Sequence, residues 1–302
     1  MNKLKIKDID GNLISKILYQ ELNNYLLKKD KVPIIVDISI GKNLNNEIYT
    51  RTKQKKLEKY TNIKFKSIHF DKITYLDLKK YIKDLNSNKE ITGIVIQLPL
   101  PDYLKKYERN ILDAIDKKKD IDGLTSLSAG LLSTTNDTLI PATVLGIETI
   151  LKVYDVLLEG KKVAIINRSN LIGKPLTQLM LRNNATPIIC HSKTSNLEEI
   201  TKFCDIIIIA LNKQEYITSN YIKEGAIIID IGVHKNKLGQ IVGDVDYKDV
   251  YNKASLITPP TGSIGPMTIC MLAYNAAKSI YGEEVNKILN QGIVKAKNKI
   301  GE

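Results

Sequence analysis

Short runs rich in Ile and Val alternate along this chain with stretches whose apolar residues recur every three or four positions. Residues 33–40 (PIIVDISI) predict a strand closed by Gly41, and 46–60 predict a helix. Residues 63–70 (IKFKSIHF) predict a second strand, and 74–86 a helix. Residues 93–98 (GIVIQL) predict a third strand stopped by Pro99 and Pro101, and 102–118 a charged helix. Strand–helix alternation of this kind implies a parallel sheet with helices on its faces. Residues 120–139 (DIDGLTSLSAGLLSTTNDTL) are turn-rich and weakly periodic, and predict a junction between domains.

A second alternating series follows. Helical spacing over 141–156 precedes strands at 161–166 (KKVAII), 186–190 (TPIIC), 204–210 (CDIIIIA) and 226–232 (AIIIDIG), with helices at 173–184 and 196–202. Continuous apolar runs suit strands buried on both faces. KNKLG (235–239) predicts a hairpin turn, and the tail from 265 predicts two helices, the last over 283–299. The fold class is therefore α/β in two domains. The first spans 1–138 and 268–302 and the second 139–267, with the C-terminal helix packing back on the first.

Composition narrows the function classes. The chain has 302 residues, 43% of them hydrophobic and 26% charged, as a globular protein requires. The formal net charge of +12 admits an anionic partner. It also fits a general enrichment in Lys, Asn and Ile. The lysines are dispersed, with no basic stripe interleaved with aromatics, so no nucleic-acid partner is expected. Cys190, Cys204 and Cys270 have no metal-ligand or redox spacing, and the motifs call for no metal. They read as reduced thiols of a cytoplasmic protein. The start has no apolar signal core, and no apolar run is long enough to span a bilayer.

Candidate chemistry lies in two places. In 161–192 a strand leads into NRSNLIGKP, where Pro175 suits the first turn of a helix. A strand–loop–helix crossover presents N–H groups to a phosphate. The next strand ends in Cys190-His191-Ser192-Lys193-Thr194, where an NAD site would carry an acid for the ribose hydroxyl. Hydroxyls and cations stand there instead, and Arg168 follows the first strand, so charge favours NADP over NAD. A doubly wound domain that binds no nucleotide remains open, because the loop lacks G-x-G-x-x-G. In the first domain, Tyr49 and Lys53 lie four apart and share a helix face. Taken alone, that pair also fits a packing Tyr beside a solvated Lys. Gln97 ends a buried strand on the side where open α/β sheets bind ligands, or is simply a satisfied strand-end Gln. Asp120 and Asp122 could form a turn and no more.

Taken in order, Y-x-x-x-K, GIVIQLPLP, KDIDGLTSLSAG, P-x-T, RSNLIGKP, CHSKT, GDV and TGSIGPMT resemble the bifunctional methylenetetrahydrofolate dehydrogenase/cyclohydrolase family from about Ile9-Asp10-Gly11 to the last helix. The resemblance implies a catalytic domain, a Rossmann-like NADP domain, a folate cleft between them and a homodimer. It implies oxidation of 5,10-methylenetetrahydrofolate with NADP and hydrolysis of the methenyl product to 10-formyltetrahydrofolate. The partner is then a small-molecule folate, with neither nucleic acid nor membrane.

The resemblance also implies residue roles. Lys53 matches the catalytic lysine, Tyr49 the tyrosine that aligns the folate, and Gln97 the glutamine that holds and tunes the lysine. Asp122 matches the acid that binds the pterin. Leu98, Gly265 and Pro266 join the folate site, and Gly265-Pro266-Met267-Thr268 matches a loop that closes the cleft. Asn167, Arg168, Ser169, Gly173, Ser192 and Val233 match the cofactor site, Arg168 and Ser192 at the 2′-phosphate. For Lys53 to serve as base near neutral pH, burial and the cationic intermediate must ease loss of its proton.

Several positions depart from the family pattern. Asn167 and Asn212 replace glycines, Gln214 a proline and Asn46 a serine. Ala142 and Val144 stand in P-C-T-P, and Thr261-Gly262-Ser263 replaces P-G-G. Most departures fall in the NADP half. They keep open a cyclohydrolase with weak or lost dehydrogenase activity, and more distantly a non-catalytic folate- or nucleotide-binding regulator. Asn tolerates positive φ, so the two turns can survive.

Overall fold

A computed structural model describes residues 7–302 apart from Asn136. The first six residues of the expected first domain, and Asn136 in the expected junction, lie outside that range. In chain order the elements begin with β1 (Lys7–Asp8), α1 (Gly11–Leu26), β2 (Ile34–Ile40), α2 (Leu44–Tyr60), β3 (Lys64–Phe70), α3 (Tyr75–Ser87) and β4 (Gly93–Ile96). There follow α4 (Asp102–Lys105), α5 (Glu108–Leu112), a 3-10 turn at Lys117–Lys119, α6 (Ser126–Thr134) and α7 (Ala142–Val153). The second series is β5 (Lys162–Ile166), α8 (Gly173–Arg182), β6 (Thr186–Cys190), α9 (Leu197–Lys202), β7 (Ile206–Ile209) and β8 (Ile227–Asp230). The hairpin β9 (His234–Lys235)/β10 (Ile241–Val242), α10 (Tyr247–Tyr251), β11 (Leu256–Ile257), α11 (Ile264–Tyr281) and α12 (Glu284–Gly301) complete the chain.

Contacts divide the described residues into two compact units, one of residues 15–142 and 269–302, the other of 7–14 and 143–268. In the first unit, β2 lies between β3 and β4 in a parallel sheet. Strand residues alternate between faces. Val36, Ile38 and Ile40 enter a core with Leu78 and Ile82 of α3 and with Ile94 and Ile96. Asp37 and Ser39 consequently point to the other face. Gly93 is required on β4, since a Cβ there would lie 2.4 Å from Cδ1 of Ile121. α2 starts at Asn43, whose side chain accepts from the N–H of Asn46, a cap that contributes about 1 kcal/mol. α12 returns to α1, where Gly292 abuts Leu18 and Lys295 pairs with Glu21 at 2.7 Å.

Two expectations change in this unit. The charged stretch 102–118 is not one helix but α4, α5 and a 3-10 turn. Two of its acids bind the starts of neighbouring elements. Asp113 accepts from the N–H and hydroxyl of Ser126, and Asp116 accepts from the N–H of Lys118. The expected junction contains α6, because Thr125 caps it by accepting from the N–H of Ser128.

The second unit carries a parallel sheet in the order β1-β11-β8-β7-β5-β6. Ile206–Ile209 is buried throughout, as expected of a strand covered on both faces. The chain runs from β5 outward to β6, then returns to place β7 on the other side of β5. The strand order therefore reverses between β5 and β7, which is where open α/β sheets bind ligands. Residues 7–14 lie with this unit through β1, which pairs with β11. Gly11 permits the approach of Ser263, whose backbone oxygen would lie 2.1 Å from a Cβ.

Candidate functional site

The first group of residues is assembled on one face of the three-stranded sheet. α2 places Tyr49, Thr50 and Lys53 together, and Lys53 Nζ lies 5.1 Å from the centroid of the Tyr49 ring. Gln97 directly follows β4, and its N–H donates to Ile38 across the sheet at 2.8 Å. The structure adds an unexpected centre to this group, Asp37. Its Oδ1 accepts from Lys53 Nζ at 3.0 Å and from Gln97 Nε2 at 2.5 Å, and its Oδ2 accepts from Thr50 Oγ1 at 2.9 Å. The Lys53 and Asp37 side chains are 3% and 0% exposed, so the pair is almost wholly buried. Gln97 therefore reaches the lysine through a carboxylate rather than directly.

Asp120 and Asp122 separate in function. Asp120 is buried and accepts from the N–H groups of Leu124 and Thr125 and from the hydroxyl of Ser128, so it builds the turn. Among the described residues, the Asp122 carboxyl has no hydrogen-bond partner. Its residue is only partly buried by surface, yet loss of solvent around the carboxyl pushes its pKa up to about 6. Lys53 opposes that rise, and Asp120 and Asp37 add to it. The Tyr49 phenol is raised by desolvation, then by Asp122 and Asp37, although the residue as a whole is 37% exposed. Leu98 is half-buried directly after Gln97.

The second group lies at the carboxyl ends of β5–β8. Ile166 pairs with Cys190, so Arg168 and Ser192 each follow adjacent strands by two residues, and both are exposed. Together with Lys193 they form a cationic and hydroxylic edge with no carboxylate in residues 190–194. That donor set fits a 2′-phosphate and hence NADP. Val233, 69% exposed, follows β8 on the same edge.

Asn167 does not project into open space. Its Oδ1 accepts from the N–H of Ser169 at 2.8 Å, the hydroxyl of Ser169 at 2.7 Å and the N–H of Gly173 at 3.1 Å. Its Nδ2 donates to the carbonyl of Ala210 at 2.8 Å, tying β5 to β7 where the strand order reverses. Gly173 is required because a Cβ would lie 2.0 Å from the Asn167 carbonyl oxygen. Asn212 adopts φ 58°, the left-handed conformation its glycine counterpart would take.

The GDV motif has a structural role that its sequence did not disclose. Asp244 is fully buried and accepts from the N–H groups of Leu211, Asn212 and Lys213, and pairs with His234 Nε2 at 2.8 Å. It thereby shapes the loop after β7. Gly265 and Pro266 are not in a loop. They form the first turn of α11, where Pro needs no N–H partner, while Met267 is buried. Among the described residues, no group of three or more His, Cys, Asp or Glu could hold a metal.

Known families match both units. The tetrahydrofolate dehydrogenase/cyclohydrolase catalytic domain matches residues 9–122, and the NAD(P)-binding domain of that family matches 141–283. The bifunctional protein FolD of Agathobacter rectalis is 39% identical over 276 residues, covering 90% of this chain and 98% of the relative. The crystal structure of the bifunctional enzyme from Campylobacter jejuni superposes with a TM-score of 0.88 at 37% identity, covering 92% of this chain and all of that one. The Trypanosoma brucei enzyme, solved with NADP and an inhibitor, gives a TM-score of 0.85 at 28% identity, with 91% and 97% covered. With both domain models matched in order and relatives this similar along nine-tenths of its length, the chain belongs to the tetrahydrofolate dehydrogenase/cyclohydrolase family.

Proposed function

We propose that this chain oxidises 5,10-methylenetetrahydrofolate with NADP and hydrolyses the methenyl product to 10-formyltetrahydrofolate. The observation that carries the reading is the buried Lys53, grouped with Tyr49 and Gln97 in the part of the chain that matches the catalytic domain. Bound NADP supplies the hydride acceptor. Arg168 and Ser192 hold its 2′-phosphate, and Asn167, Ser169 and Gly173 form the turn beside it.

The chain's other residues orient the folate and move a proton. Asp122, free of protein partners, accepts the N–H edge of the pterin. The Tyr49 ring aligns the folate by its flat face. In the hydration step water bonds to the methenyl carbon and gives up both of its protons, the second as its oxygen becomes the formyl carbonyl. The pair of the bond between that carbon and N5 passes to N5, which takes a proton. Lys53 is the group that moves a proton here, and Gln97 holds the arrangement. Leu98, Gly265 and Pro266 are proposed folate contacts.

The three free, buried cysteines suit a reducing compartment, and no helix among the described residues is long and apolar enough to cross a membrane. A cytoplasmic homodimer is the expected form, and sedimentation tests the dimer. The activity is tested by following methenyl-folate absorbance from methylene-folate, with NADP and NAD in parallel. NADP-dependent formation followed by hydration is expected. An absence of both steps would contradict the reading.

A further inference from the structure

Asp37 is the one charged residue in the apolar run of β2, and its carboxylate is fully buried. A buried charge persists only when it is paired and hydrogen-bonded. Thr50, Lys53 and Gln97, from α2 and the end of β4, meet that need on its two oxygens. The pairing constrains its partners in turn. An ionised carboxylate only accepts, so it fixes the Gln97 amide with its NH2 group inward and its carbonyl oxygen on the opposite side. Taking the proton from Lys53 would leave Asp37 buried without its counter-charge, which low-dielectric surroundings oppose. Around Lys53 the other groups are the Tyr49 ring, Gln97, Thr50 and the Asp122 carboxyl, with Asp120 engaged in its own turn.

We propose that Asp37 is a positioning residue for the hydration step, holding Lys53 as an ammonium and setting the orientation of Gln97. The assignment rests on the cyclohydrolase reading above and changes one part of it: Lys53 acts as the proton donor. As the bond between the methenyl carbon and N5 breaks, its electron pair goes to N5, and the Lys53 ammonium supplies the proton. The added water gives up both of its protons to solvent, one on attack and one as its hydroxyl becomes the formyl carbonyl, and one of the two recharges the lysine. The step consumes one water and releases one proton overall.

Asp37→Asn keeps the shape and removes the charge. Its hydration kcat is expected to fall by about tenfold or more, with little change in folate KM. The alkaline limb of the rate profile should move to lower pH, because an ammonium without its carboxylate loses its proton sooner. A rate at pH 7 that is unchanged or raised, with the limb unmoved, overturns the proposal. NMR of the 13C,15N-labelled wild-type protein decides the point even if the variant does not fold. A Lys53 NH3 signal assigned through its side-chain carbons, present at pH 7, is expected. A neutral amine at that pH overturns the proposal. Wild-type protein that hydrates no methenyl-folate would count against the activity, and the NMR result would still decide the charge held by Asp37.

Discussion

The side chain of Asn167 accepts a hydrogen bond from the backbone N–H of Gly173, six residues on, at 3.1 Å. The same side chain reaches Ala210 on the neighbouring strand, so it both closes the phosphate-side turn and occupies two of that turn's donors. Asn167→Gly should therefore change stability and cofactor binding in opposite directions. Losing these bonds should cost about 1–3 kcal/mol in denaturant unfolding. The freed N–H groups of Ser169 and Gly173 should lower the NADP KM, with hydration little changed. A variant that loses both stability and NADP affinity would show that Asn167 is only a scaffold.

Arg168 and Ser192 make a separate prediction. Replacing both by Ala should weaken NADP far more than NAD, since each hydrogen bond to a charged phosphate is worth about 1.5–3 kcal/mol. The comparison requires KM for both cofactors in the same preparation. Equal losses would remove these residues from the 2′-phosphate.

The unpaired carboxyl of Asp122 sets a pH dependence. Its pKa is raised to about 6, chiefly by desolvation, so it is mostly ionised at pH 7 and mostly protonated at pH 5. Only the ionised form accepts two N–H groups. The folate kcat/KM should therefore hold above pH 6 and fall toward about tenfold per pH unit below it. Asp122→Asn should remove that limb and lower kcat/KM at pH 7. An acid limb that persists in the variant would belong to another group.

Asp244 should be mainly structural. Asp244→Ala leaves three N–H groups and His234 without their acceptor and should cost about 3–5 kcal/mol in unfolding free energy. Asp244→Asn, which keeps one acceptor oxygen, should lose less. Near-native stability of the Ala variant would mean that the loop after β7 does not depend on this carboxylate.

How far these features could be read from sequence depends on the kind of signal each element carries. β2 and β7 were legible because apolar runs of four to seven residues between turn residues resemble little else. β1 and β11 were not, because two residues carry no period and their pairing joins positions far apart in sequence. Charge alternating with Ile and Leu makes the stretch 102–118 read as helical, yet Asp113 and Asp116 lie between helices and bind the first residue of α6 and the 3-10 turn. Tyr49, Lys53, Gln97 and Asp122 could be named through the family resemblance. Asp37 carries its own physical signal, a charge inside a buried strand, which demands partners but does not say which they are. Nothing local to Asn167 could say that its side chain turns inward to Ala210, which lies 43 positions away.

The central claim, that Lys53 moves the proton of hydration while hydride transfer proceeds independently, is tested most directly with Lys53→Arg. Arginine keeps a cation beside Asp37 but cannot give up a proton. Absorbance of NADPH and of methenyl-folate is followed after mixing each protein with methylene-folate and NADP. Both proteins should form NADPH. The wild type should consume the methenyl product, whereas the variant should accumulate it. Hydration by the variant at the wild-type rate would contradict the account.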